Sequence, residues 1–164
     1  MIDNIDQARS VAIVTISDTR TATDDISGDE LAVLVASQGF VVAERSIVKD
    51  DRGAIAETLA RLCASGDTAL ILTTGGTGIA PRDVTPEATR DVVDFELPGI
   101  PEAMRGETFA KTNTSILSRS VAGVKGRTLI INLPGSPKGV RECFDVIAPI
   151  LLHALKQLRG EIDH

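Results

Sequence analysis

The chain has no tryptophan, no tyrosine and only 4 phenylalanines among its 164 residues. Single-stranded nucleic acid is gripped by stacking bases on aromatic rings, so that mode of binding is not expected. Positive charge is also in short supply. Lys and Arg number 17 against 23 Asp and Glu, a net charge of −6, the wrong sign for neutralising a phosphate backbone. There are 2 histidines, one of them the last residue, which is too few for a zinc cluster, and His153 is given no role. Cys63 and Cys143 fall in apolar helical patterns and read as small buried hydrophobes, not as a disulfide framework. No apolar run approaches the ~20 residues of a membrane span. The opening MIDNIDQARS has neither the basic nor the apolar region of a signal peptide. Low-complexity tracts and internal repeats are missing too. The expectation is a soluble, acidic, cytoplasmic protein with no nucleic-acid and no membrane partner.

What is present is core material: 43% of residues are hydrophobic and 24% charged, enough for one domain over residues 1–164. Short apolar runs bounded by breakers mark strands buried on both faces, as in parallel sheets. They are Val11 to Ile16, Ala69 to Leu72, and Leu129 to Ile131, with a further strand over Phe40 to Val48. Between them lie helical patterns. Ser27-Gly28-Asp29-Glu30 has capping-box spacing ahead of Leu31, Leu34 and Val35, with Gly39 as the stop. Asp50 or Asp51 can cap the helix carrying Ile55, Leu59 and Leu62. Strand and helix alternate, which produces a parallel sheet with right-handed crossovers. The segment from Thr112 to Gly126 is polar and shows no period. A last helix, from about Gly139 to Leu158, carries a clean apolar stripe from Val140 to Leu158, interrupted by Pro149.

The most informative stretch is TALILTTGGTGIAPRDVTPE, Thr68 to Glu87. A buried strand feeds Gly75, Gly76 and Gly78, and Thr85-Pro86-Glu87 then reads as a helix start with Thr85 as its cap. Bare backbone ending on a helix N-terminus suits an anion. The loop is neither a Walker A sequence nor the dinucleotide fingerprint. One reading is a tight turn that needs only positive φ angles. With hydroxyls from Thr73, Thr74 and Thr77 around it, phosphate binding is the expectation.

In open α/β sheets ligands collect beyond the carboxyl ends of the strands. Four polar clusters should meet there: Ser17-Asp18, Asp50-Asp51, the glycine loop with Arg82-Asp83, and Pro134-Gly135-Ser136-Pro137-Lys138-Gly139. Asp50 and Asp83 can each be an ordinary cap or turn acid. As a pair beside a phosphate loop they suit Mg²⁺, which takes few protein oxygens plus substrate phosphates. Asp18, Asp24 and Asp25 could add to the same rim. Ser136 and Lys138 can hold a further anionic group at the last helix, or be a cap and a solvated charge; Arg82 is the other nearby cation.

These residues carry a family likeness. Thr74 to Thr89, TGGTGIAPRDVTPEAT, resembles the signature of the MogA/MoaB family of molybdenum cofactor biosynthesis proteins, found also in the G domains of gephyrin and the plant Cnx protein. IVKDD, ELPGIPEAMR, LSRSVAGVKGRTLIINLPGSPKGVRECF and HALKQLRG extend it along nearly the whole chain. Lys49 is a local departure, where relatives often have proline. The resemblance implies a three-layer α/β/α sandwich with a mostly parallel central sheet, assembled as a trimer or, in some members, a hexamer. It implies adenylylation of molybdopterin, with ATP as co-substrate and Mg²⁺ as cofactor. By motif, Asp50 and Asp83 would be the catalytic, metal-holding carboxylates. Thr74, Gly75, Gly76, Thr77, Gly78, Ser136 and Lys138 would hold the nucleotide, and Ser118, Arg119 and Arg82 the molybdopterin. The alternative within the family is a non-catalytic, MoaB-type pterin-binding or assembly protein.

Overall fold

The structure is a computed structural model describing residues 7–161. Its described strands are β1 (Ser10–Ile16), β2 (Val41–Val48), β3 (Leu70–Thr74), β4 (Phe95–Glu96), β5 (Ala122–Lys125) and β6 (Thr128–Leu133). The α-helices are α1 (Ile26–Ser37), α2 (Arg52–Ala64), α3 (Thr85–Val92), α4 (Gly99–Thr108) and α5 (Pro137–Leu158), with a 3₁₀ turn at Asn113–Leu117. One sheet runs in the order β2-β1-β3-β6-β5-β4. The first four of these are parallel, and β5 and β4 close the edge in antiparallel fashion.

The period of two along each central strand sorts side chains to two faces. Val11, Ile13, Leu70, Leu72, Leu129 and Ile131 face one layer with Leu31 of α1, Met104 of α4 and Phe144 of α5. Ala12, Val14, Ile71 and Ile130 face the other, against Ile55 and Leu59 of α2 and Ala88 of α3. The result is the expected α/β/α sandwich. β2 lies at the sheet's edge, so its residues alternate between exposed and half-buried.

Register brings the carboxyl ends level. Ile16 pairs with Val48, Thr15 with Thr74, and Thr74 with Leu133. The connections that follow, beginning at Ser17, Lys49, Gly75 and Pro134, therefore leave the sheet side by side.

Three local expectations are corrected. Thr85 is not the cap of α3; the helix already includes it, Val84 precedes it, and its hydroxyl donates to the Gly75 carbonyl at 3.0 Å. Ser27 is not a cap either. Asp25, two residues earlier, accepts from the Gly28 N–H, while the buried Ser27 hydroxyl donates to the Gly135 carbonyl at 2.6 Å. The segment after Thr112 does contain a strand, β5, which shows no period because it is short and includes Gly123. A Cβ there would lie 2.8 Å from the Phe95 carbonyl, so glycine is what lets β4 pair with it.

Candidate active site

The glycine loop is held in a conformation that excludes side chains. Gly75 and Gly76 have φ of 101° and 68°, values L-residues rarely adopt. A Cβ on Gly75 would sit 2.5 Å from the Ile16 carbonyl oxygen. On Gly76 it would sit 2.3 Å from the Thr85 hydroxyl and 3.3 Å from Asp50 Oδ1. The hydrogen bonds that pin the loop include Gly75 N–H to the Leu133 carbonyl (3.2 Å), Thr85 N–H to the Gly76 carbonyl (3.1 Å) and Thr74 Oγ1 to the Pro134 carbonyl (2.6 Å). The second loop lies directly against it, so that a Cβ on Gly135 would be 3.3 Å from Gly75 Cα. There Ser136 caps α5 by accepting from the Gly139 N–H at 3.1 Å.

Asp50 and Asp83 flank this loop. Asp51 takes the capping duty at α2, accepting from Ala54 N–H at 2.8 Å, which leaves Asp50 available. Asp83 Oδ2 accepts from Ala80 N–H at 3.0 Å, and a Cβ on Gly78 would come within 2.9 Å of the same oxygen. Burial raises the Asp50 pKa above the usual aspartate value, and the negative charges of Asp18 and Asp83 push in the same direction. Among the described residues no group of three or more His, Cys, Asp or Glu gathers at ligand distance. Two carboxylates fit a Mg²⁺ that receives its remaining oxygens from phosphates and water.

The Asp50 shift has a consequence for stability. Where a folded-state carboxyl pKa is raised, the penalty is absent below the unfolded value and complete once pH passes the folded one. Asp50→Asn should therefore raise the melting midpoint of the metal-free protein at pH 7. The gain should shrink as pH falls toward 4. Thermal scans across that range check it.

Two cavities open at this edge. The larger, about 590 Å³, is lined by Gly76, Thr77, Gly78, Asp83, Ser118, Ser136 and Lys138, and walled by Met104, Arg105 and Leu117. The smaller, about 380 Å³, is lined by Ser17, Arg20, Asp50, Thr74 and Gly75. Gly76, Gly135 and Ser136 line both. They form a shared wall with little side chain in it.

Most residues expected in a site are thus brought together, but two arginines are turned elsewhere. Arg119 lines neither cavity. Its guanidinium donates to the carbonyls of Gly78 and Asp83, each at 2.7 Å, and pairs with Glu87. That pairing holds the Glu87 carboxyl below its usual range although burial works against it. Arg82 also lines neither cavity and is ion-paired with Asp18. Lys138 reaches the larger cavity with a mostly exposed side chain, 3.8 Å from Glu142. Of the wider acidic rim, Asp18 is present but engaged. Asp25 is buried, accepting from Thr15 and Arg45, and Asp24 is tied to Thr21 of its own loop. The far wall from α4 and the 3₁₀ turn includes Met104 and Arg105, at the end of the ELPGIPEAMR motif, and Leu117; the sequence reading gave these residues no role in a site.

The family described as "Probable molybdopterin binding domain" matches residues 12–153. This chain belongs to the MogA/MoaB family. It is 36% identical to a molybdopterin adenylyltransferase of Helicobacter pylori over 94% of this chain and 90% of that one. Against the molybdenum cofactor synthesis protein cinnamon of Drosophila melanogaster, identity is 40% over 92% of this chain. The chain spans only 26% of that fly protein. Among solved structures, the MoaB of Thermus thermophilus superposes with a TM-score of 0.85 at 45% identity, covering 92% of this chain and 96% of that one. Members of the MogA/MoaB family thus share this chain's fold along nearly its full length.

Proposed function

We propose that this MogA/MoaB protein is a molybdopterin adenylyltransferase of molybdenum cofactor biosynthesis, transferring AMP from ATP to the terminal phosphate of molybdopterin. The observation that carries the reading is the pair of cavities sharing the Gly76, Gly135 and Ser136 wall, with Asp83 on the larger and Asp50 on the smaller. Group transfer between two substrates needs two compartments that meet at the reacting phosphorus. In this reading a terminal phosphate oxygen of molybdopterin attacks the α-phosphorus of ATP. The bond from that phosphorus to the oxygen bridging α and β breaks, and pyrophosphate leaves.

The nucleophile is already ionised, so no strong base is required. What the chain supplies is position and charge neutralisation. The backbone of Gly75, Gly76 and Gly78 takes the phosphates close because no Cβ stands in the way. Thr74, Thr77 and Ser136 border the same path, and Lys138 places a cation at its rim. Ser118 lies on the wall of the larger cavity, which suits the pterin. Asp50 and Asp83 would hold a Mg²⁺, which when bound would offset the charge of the triphosphate and the departing pyrophosphate. We extend the reading to a cytoplasmic homo-oligomer, a trimer in the first instance with a hexamer as the other arrangement. Ile26, Val33, Phe95, Ile116 and other large apolar side chains are exposed in the single chain and would be covered by neighbours. Among the described residues no helix is long and apolar enough to cross a membrane.

Incubation with Mg-ATP and molybdopterin should release pyrophosphate and form adenylylated pterin in equal amounts. Tight pterin binding without pyrophosphate would instead favour the non-catalytic, MoaB-type role.

A further inference from the structure

Three connections at the ligand edge are stitched together by one side chain that touches neither cavity. Arg82 donates from Nε to Asp18 Oδ2 at 2.6 Å and from Nη2 to Asp18 Oδ1 at 3.1 Å. The same Nη2 donates to the Asp50 carbonyl at 3.0 Å. Asp18 Oδ1 in turn accepts from the Asp50 N–H at 3.1 Å. Both backbone groups of Asp50 are therefore taken, one by each member of the pair. Its carboxylate, by contrast, is held by no side chain among the described residues, and only the Asp18 backbone N–H approaches it. Where that carboxylate points is set by its backbone, and its backbone is set by Arg82 and Asp18. Arg82 is also the chain neighbour of Asp83. The residue that grips the Asp50 connection thus stands one peptide from the second acid.

We propose that Arg82 and Asp18 are positioning residues, a clamp that fixes Asp50 relative to Asp83 so that the two carboxylates present a preset pair to a divalent cation. The inference rests on the metal reading above and concerns how this chain prepares the site. Stability does not account for the arrangement. The Arg82 and Asp18 side chains are 67% and 34% exposed, and an ion pair in water adds little to stability. The planar fork does account for it: one guanidinium bonds both carboxylate oxygens and a carbonyl at once, which a lysine ammonium on its flexible stem does not reproduce. Charge and geometry also pull in opposite directions here. A cation beside Asp50 by itself opposes metal binding, so any benefit from Arg82 must come through placement.

That opposition makes the test decisive. Mn²⁺ alone is the probe, followed in the full chain by the loss of the free-ion electron paramagnetic resonance signal, with no turnover required. Arg82→Lys keeps the charge and loses the fork. It should weaken Mn²⁺ binding about 10–100-fold, the usual effect of losing a partner that orients a metal ligand. Asp18→Asn should do the same. The double variant should be no worse than either single one, because both act through Asp50. Melting midpoints should stay within a few degrees of wild type, and KM for molybdopterin at saturating Mg²⁺ should not change. Wild-type Mn²⁺ affinity in Arg82→Lys, or a raised KM for molybdopterin as its main defect, would overturn the clamp and make Arg82 a substrate contact. If the wild-type chain takes up no Mn²⁺ either alone or with ATP present, the metal reading fails, and the clamp with it.

Discussion

Replacing Asp83 by asparagine should abolish adenylyl transfer and leave the fold in place. The substitution is close to isosteric. The amide oxygen can still accept from Ala80 N–H, the bond that closes the turn after Gly78, so the loop keeps its shape while the charge is lost. Removing one preorganised electrostatic group typically costs about 10²–10³-fold in kcat, and the loss should be at least that if a metal leaves with it. Asp50→Asn should act differently. No side chain among the described residues holds its carboxylate, and the main effect of the substitution should be a raised requirement for Mg-ATP, with molybdopterin affinity retained. Pyrophosphate release under saturating and limiting Mg-ATP separates the two. A wild-type rate in either variant would remove that carboxylate from the metal site.

Gly75→Ala should be the most damaging single-methyl change near the site. The new Cβ would overlap the Ile16 carbonyl oxygen at 2.5 Å, and the residue would have to hold φ near 101°. A residue forced into such a region costs of order 1–3 kcal/mol, and the overlap adds to it because the opposing atom belongs to the backbone of a central strand. A fall in melting midpoint of roughly 5–10 °C follows from the relation between stability and midpoint at this size. Activity should fall further than stability, since relief requires the loop to move away from the shared wall. Gly66→Ala provides the control. Gly66 has φ of 76°, but a methyl added there would meet nothing within 4 Å, so this variant should lose a little stability and no activity. Equal losses of activity in the two variants would mean that the loop's close packing is not what catalysis needs.

Much of this site can be read from the chain alone. The central strands announce themselves because burial on both faces leaves unbroken apolar runs, and strand order then forces their trailing loops to one edge. Asp50, Asp83 and the three glycines fall there for that reason alone. What stays hidden is tertiary. β4 and β5 are short, one contains glycine, and both pair at an edge where no period builds up. Arg82 and Arg119 look like ligand-binding cations beside a glycine loop, but local sequence does not say which way a long side chain turns. Both turn away from the cavities, to carbonyls and carboxylates. Ser27 illustrates a further limit: a spacing that fits a cap is outcompeted by Asp25 two residues upstream, and the serine is used to bind Gly135 instead.

Asp50 and Asp51 differ only in their place. Extended backbone at Asp51, with φ −129° and ψ 121°, sends successive side chains to opposite sides, so one acid faces the helix and its neighbour faces the cavity. Deleting or inserting a single residue between β2 and α2 would exchange their duties. The segment should therefore be intolerant of length change, because a shift of one residue would put the capping acid on the cavity and the other on the helix.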